Sequence, residues 1–289
     1  MSLTVTLVIL ALALILLLLV ALLHRAYRAP RFVETANPDS MDLPYTDRYL
    51  LGPRGRRLYS WLIPAEGSER TLIIVHGWGA NMQMMLPLAV PFHEAGMNVL
   101  LFDARNHGKS DGDSFSSMPR FAEDLDCALD WTRQHAPGQK IIVMGHSVGA
   151  AAALLVASRR DDINLVIGIS GFAHPDLVMR RHLKRRWLPG PVVPLILHYV
   201  QWVIGHRFDD IAPMNRIRQI QCPVLLAHGK QDIVIPISDM QLIRDNALPG
   251  NDLYTLTFED AGHASVDIFK KHAGQLIAFI NEKLDHTHA

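Results

Sequence analysis

Lys140-Ile-Ile-Val-Met-Gly145-His146-Ser147-Val148-Gly149, followed by Ala150-Ala-Ala-Ala-Leu-Leu-Val-Ala157, is the stretch on which the fold turns. The apolar run reads as a buried strand, the small-residue run as a helix, and Gly-x-Ser-x-Gly as the sharp turn between them. A nucleophile elbow requires that context, because the strained turn lifts the serine Oγ clear of the sheet. The five-residue pattern alone says little; its flanks give it weight.

An elbow serine needs a base to take its proton and a third group to orient that base. Cys222-Pro-Val-Leu-Leu-Ala-His228 reads as a short buried strand, and Gly229-Lys-Gln-Asp232 follows it. Asp232 is therefore expected in a loop beyond the carboxyl end of a strand, where open α/β sheets place their chemistry. Asp252-Leu-Tyr-Thr-Leu-Thr-Phe258 alternates like a strand and leads into Glu259-Asp-Ala-Gly-His263. His263 is the candidate general base and Asp232 its orienting carboxylate. Thr71-Leu-Ile-Ile-Val75 reads as another strand, ahead of His76-Gly77-Trp78-Gly79-Ala80-Asn81. The backbone N–H groups of Trp78 and Val148 are the expected oxyanion donors, each worth roughly 3 kcal/mol of transition-state stabilisation.

With these residues in place, the chain from about Tyr45 to Leu284 resembles the serine hydrolases of the α/β-hydrolase fold. It carries their HGxG-type segment, Asp103-Ala-Arg-Asn-His-Gly-Lys-Ser110, the elbow, His228-Gly-x-x-Asp232 and the late Gly262-His263, in the family's order. Asn106 stands where many relatives have glycine, and asparagine tolerates the left-handed conformation. The resemblance implies a mostly parallel central sheet with helices on both faces, a helical cap inserted over the site, and a role for His76 and His107 in bracing turns.

Each assignment has a plainer rival. Asp232 would also serve as a turn former, with Asp260 and Asp209 as the alternative acids. Among 15 histidines, His272, His286 and His288 read as surface or tail residues, and His146 as packing beside the elbow. Cys127 and Cys222 lack metal-ligand spacing and read as reduced core thiols. No phosphate loop, dinucleotide fingerprint or zinc motif is present, so no cofactor and no metal are expected. The 28 basic and 28 acidic residues balance, which gives no ground for a nucleic-acid partner.

Strands are expected near 71–75, 97–103, 141–145, 164–170, 223–228 and 252–258, after a hairpin formed by Tyr45–Leu51 and Arg57–Ile63. Helical patterns lie near 84–95, 118–136, 148–160 and 265–284. Strands alternating with helices argue for a parallel sheet covered on both faces. Residues 174–215 interrupt this rhythm with Arg180-Arg-His-Leu-Lys-Arg-Arg186, Trp187-Leu-Pro-Gly-Pro-Val-Val-Pro194 and Leu195-Ile-Leu-His-Tyr-Val-Gln-Trp-Val-Ile204. They read either as a lid with an apolar lining and basic residues facing lipid headgroups, or as a solvated basic helix followed by one packed on the core.

At the N-terminus, Val5 to Leu23 is a 19-residue apolar run with Thr6 its one hydroxyl, about 28 Å as a helix and enough to span a bilayer. A cleaved signal peptide would have a shorter run preceded by basic residues. Here His24-Arg25-Ala26-Tyr27-Arg28-Ala29-Pro30-Arg31 follows instead, a signal-anchor pattern that keeps the catalytic domain cytoplasmic. The chain divides into a transmembrane signal-anchor (1–24), a juxtamembrane linker (25–44) read as a short tether, and the hydrolase domain (45–289). The expected activity is serine hydrolysis of acyl or lipid-like carboxylic esters. An acyl thioesterase or serine peptidase would use the same residues, and a silent membrane-tethered binding module would have lost one of them. Oligomeric state is not legible.

Overall fold

The computed structural model describes residues 2–26, 28–185 and 190–285. Residues 186–189, within the expected cap, and the tail bearing His286 and His288 lie outside the described residues. The N-terminal run forms α1 (Leu3–Ala26), with a span from Leu3 to Leu22 long and apolar enough to cross a membrane. At its end the His24 ring meets Phe115 edge-on, 5.8 Å between centroids.

The segment after α1 departs from the expected tether. Glu34, Pro38 and Leu43 are buried, and the Thr35 and Ala36 N–H groups donate to Gln83 Oε1. A polar, proline-bearing composition predicts solvation; these three buried side chains and the paired backbone instead fasten the strap to the domain.

The chain then runs β1 (Thr46–Leu51), β2 (Arg57–Ile63), β3 (Arg70–Val75), α2 (Met82–Glu94), β4 (Asn98–Phe102), α3 (Met118–His135), β5 (Lys140–His146), α4 (Val148–Ala157) and β6 (Leu165–Ile169). The insertion holds α5 (Pro175–Arg185), α6 (Val192–Ile204), α7 (Phe208–Ile211) and α8 (Pro213–Arg216). β7 (Val224–Gly229), α9 (Ile237–Asp245), β8 (Leu253–Phe258), α10 (Val266–Lys271) and α11 (Ala273–Asp285) complete it. One eight-stranded sheet has the order β1-β2-β4-β3-β5-β6-β7-β8. β1/β2 and β2/β4 are antiparallel and every later pairing is parallel, the architecture of the α/β-hydrolase fold.

Alternation along each strand assigns side chains to two cores. Ile73, Val75, Leu100, Phe102, Ile141 and Val143 face α3 and α4. Leu72, Ile74, Val99, Leu101, Ile142 and Met144 face α2, α10 and α11. Both faces are buried, so these strands read as continuous apolar runs. Each fully buried Leu or Ile contributes roughly 1.5–3 kcal/mol. Every residue of α4 is buried; its alanines let the helix lie close to the sheet.

Two helices differ from the sequence pattern. The run expected over 265–284 breaks into α10 and α11 at His272, whose φ of −99° and ψ of 10° end the first helix. The short α9, after Pro236, has too few periodic apolar positions to stand out. Burial pushes the Cys127 thiol up to about 11 and the Cys222 thiol up to about 12, so both are uncharged and neither is disulfide-bonded.

Behind the sheet, Arg105 is buried with Asp124: its Nε donates to Asp124 Oδ1 at 2.6 Å and its backbone N–H to Oδ2 at 2.8 Å. Both side chains are 1% exposed; Arg105 also holds Glu123 at 2.6 Å, so loss of Asp124 leaves the charge paired but strands the buried Nε–H and backbone N–H without an acceptor. Asp124→Ala is expected to destabilise the fold by about 1–3 kcal/mol for each donor left unpaired. Arg159→Ala, which breaks the half-exposed pair with Asp126, should cost less than about 1 kcal/mol. Denaturant midpoints of the two variants check this, and equal midpoints would contradict it.

Candidate active site

The carboxyl ends of β3, β5, β7 and β8 lie on one edge of the sheet because these strands are parallel, and the loops that follow them converge there. Ser147, directly after β5, has φ 55° and ψ −117°, a conformation that costs a non-glycine residue of order 1–3 kcal/mol. The glycines on either side permit it. A Cβ on Gly145 would sit 2.3 Å from Gly149 C, and one on Gly149 would sit 2.4 Å from Val75 O.

His263 is brought to this serine from 116 residues away: its Nε2 lies 3.1 Å from Ser147 Oγ. Its Nδ1 lies 2.7 Å from Asp232 Oδ2. The other Asp232 oxygen accepts from the N–H groups of Val234 at 2.9 Å and Ile235 at 2.8 Å, which fixes the carboxylate plane. Burial acts to raise the pKa of Asp232. The His263 bond, the Ile235 N–H and the nearby His263 and His228 rings outweigh it and hold the group below the ordinary carboxylate range. Asp232 is therefore an ionised acceptor, and the imidazole proton sits on Nδ1, leaving Nε2 free to take a proton from the serine.

The alternative acids lie elsewhere. Asp209 pairs with His174 at 2.9 Å, and Asp260 is exposed. His272 stacks near Phe258, 4.9 Å between centroids.

Three buried histidines brace the loops. His76 Nε2 accepts from Ala104 N at 3.0 Å while its Nδ1 donates to Gly77 O at 2.7 Å. His107 Nε2 accepts from Gly79 N at 3.2 Å and its Nδ1 donates to Arg105 O at 2.9 Å. Each ring must be neutral to accept and donate at once. Burial, reinforced by His107, lowers His76 to about 3, and burial lowers His107 to about 4. His146 does more than pack. Its Nε2 donates to the carbonyl of His263 at 2.7 Å, and burial, followed by the His263 charge, lowers it to about 4.

His228 was missed in the sequence. It is buried at the end of β7, bonds Ile235 O at 2.8 Å and stands 3.6 Å from Asp232; its place at the head of His-Gly-x-x-Asp was the available signal. The backbone N–H groups of Trp78 and Val148 belong to the loop after β3 and the first turn of α4. Among the described residues neither has an acceptor within the protein. The Trp78 side chain is 39% exposed, and Ile233 and Val234, beside Asp232, are 82% and 40% exposed.

The insertion is tied to this edge. Arg181 of α5 grips Asp239 of α9 through Nη1 at 2.7 Å and Nη2 at 2.9 Å, and Arg185 Nη2 donates to Ile233 O at 2.6 Å. Leu183 and Leu197 bury α5 and α6 on the domain, while Leu195 and Trp202 of α6 are 71% and 76% exposed. A cleft of about 690 Å³ runs along α6 past His198, Trp202 and Arg207. Ser147, His263 and Asp232 do not line it. Among the described residues no cluster of three metal-ligating side chains occurs.

Comparison with known proteins identifies the family and the fold. Residues 67–216 match the family described as serine aminopeptidase, S33 (Hydrolase_4), a stretch that includes the His76–Asn81 loop and the elbow. The Bacillus subtilis protein YqkD is 28% identical over 215 residues, 73% of this chain and 70% of that protein. Escherichia coli YfhR is 32% identical over 193 residues, 63% of this chain and 61% of that one. An esterase from Pyrococcus furiosus superposes with a TM-score of 0.71 over 88% of this chain and 97% of its own, at 23% identity, a likeness of fold. The chain thus belongs to the serine aminopeptidase S33 (Hydrolase_4) family, on an α/β-hydrolase fold.

Proposed function

We propose that the protein is a serine hydrolase of carboxylic esters with acyl or lipid-like chains, held at a membrane by α1. The observation that carries this reading is the unbroken line from Ser147 Oγ through His263 to Asp232, at 3.1 and 2.7 Å, with the serine raised on a strained turn. In the proposed reaction His263 Nε2 takes the Ser147 proton as Oγ attacks the ester carbonyl. The Trp78 and Val148 N–H groups receive the oxyanion, and the imidazolium returns its proton to the departing alkoxide. Water activated by the same histidine then releases the acid from the acyl-enzyme. Asp232 remains ionised and stabilises the imidazolium.

The ester preference is supported by the apolar side chains of Trp78, Ile233 and Val234 at this edge and by an α1 able to span a bilayer. The family description names aminopeptidases, so amide substrates belong in the same test. In the proposed topology α1 is a signal-anchor. Arg25 and Arg28, on its C-terminal side, keep the catalytic domain in the cytoplasm.

Fluorophosphonate labelling of the detergent-solubilised full chain should occur in the wild type and vanish in Ser147→Ala, whose turnover should fall by about 10⁶. Asp232→Asn should fold and lose about 10⁴ in kcat. p-Nitrophenyl esters of rising chain length, run beside aminoacyl p-nitroanilides, should show turnover confined to the esters with an optimum above acetate. Turnover that survives Ser147→Ala would rule out the assigned nucleophile.

For topology, protease added to intact cells should leave the domain whole, and digestion from outside would reverse the orientation.

A further inference from the structure

The loop His76–Asn81, which carries the Trp78 N–H, is too rich in glycine to hold one shape alone; its contacts determine that shape. Two lie beneath it, from His76 and His107. On its inner side Gly77 lies against His146 and Ser147, and on its outer side the contacts come from Pro30–Ala36, a segment preceding the first residue of the family match at 67.

The Pro30 ring lies directly on Gly79. A Cβ at Gly79, where φ is +66°, would stand 2.9 Å from Pro30 Cγ and 3.1 Å from Pro30 Cδ. One residue on, Arg31 Nε donates to Gly108 O at 3.0 Å and its Nη2 donates to Ser110 O. Those carbonyls belong to the turn that presents His107 to Gly79 N. The Phe32 carbonyl accepts from Asn81 Nδ2 at 3.0 Å, while Asn81 Oδ1 accepts from Met84 N at 3.2 Å and so caps α2. Thr35 N and Ala36 N close the docking on Gln83 Oε1 at 2.7 and 3.1 Å. The strap therefore touches the loop, the helix the loop enters and the turn that braces the loop from below.

The Arg31 charge acts in the same direction, whereas Glu34 opposes it. His107 accepts the Gly79 N–H only while its Nε2 is unprotonated. Burial is the main force keeping it neutral, and the Arg31 guanidinium adds to it. Glu34 is buried with both oxygens lacking a donor. It faces Asp103, whose carboxyl accepts from Met82 N at 2.9 Å and Lys109 N at 3.0 Å. Burial, then Glu34, raises Asp103 well above the ordinary range.

We infer that Pro30 and Arg31 are positioning residues for oxyanion stabilisation, and that the strap is a working part of the site. This rests on the ester-hydrolase reading. Loss of the strap contacts misaligns the Trp78 N–H at the moment charge develops, which lowers kcat and spares substrate binding.

The test uses the full chain in detergent micelles with a soluble p-nitrophenyl ester and a boronic acid that mimics the tetrahedral intermediate. Arg31→Ala should lower kcat about tenfold or more with KM within about twofold, and weaken boronic acid binding in parallel. Arg31→Lys, which keeps a donor and a positive charge, should recover part of the loss. Pro30→Ala removes only the ring contact and no hydrogen bond; it is the arm to read if Arg31→Ala does not fold, and it should show the same split. Wild-type kcat in a folded Arg31→Ala or Pro30→Ala overturns the inference, as does a loss confined to thermal stability. If the wild type itself neither labels nor turns over, the ester-hydrolase reading fails instead, so the two failures are distinguishable.

Discussion

Backbone meets backbone where α4 leaves β5, with the Gly149 α-carbon pressed against the Val75 carbonyl and Gly145 against Gly149. A single methyl group at either glycine would force the helix off the sheet, and packed interiors have no slack to absorb that. The contact fixes how far Ser147 projects and brings the first turn of α4 beside the loop that leaves β3. The alanines of α4 extend the close approach along the helix. The two cores then clamp the sheet that carries both partners. Distances at the edge of the sheet are thus set by packing several residues away, and the polar groups there need only hold orientation.

Orientation comes from groups that are themselves held. Asp232 is aimed by two backbone N–H groups, His263 by Asp232 and by the His146 bond to its carbonyl. His76 and His107 each accept one N–H and donate to one carbonyl, so a ring flip or a second proton would cost a bond. Burial keeps these rings neutral. The α5 arginines lock the insertion to α9 through Asp239 and to the loop bearing Asp232 through Ile233. The insertion is fastened here at its α5 end, while α6 presents Leu195 and Trp202 to its surroundings.

Much of this was legible because local rules and tertiary structure agree. Each parallel strand announces itself as an apolar run, and glycine, aspartate or histidine follows where the strand ends. The elbow, Asp232 and His263 could be located because each has a strand behind it. What escaped the sequence has a common physical cause: it depends on contacts between segments with no shared pattern. The strap reads as a tether because Glu34 and Arg31 look like solvated charges until Asp103 and the Gly108 carbonyl are set beside them. His228 shows no role of its own until the loop after β7 folds back and sets Ile235 and Asp232 beside it. The break at His272 and the short α9 are too brief for periodicity to register.

The φ of 55° at Ser147 also bears on how such a protein can change over generations. Glycine adopts that conformation without penalty, so the substitution that removes the hydroxyl and relaxes the turn trades chemistry for robustness. Selection for folding yield alone would favour an inert descendant with an intact sheet and strap. At Ser147 the strain is held in place by the packing around it, the glycine contacts of the elbow above all.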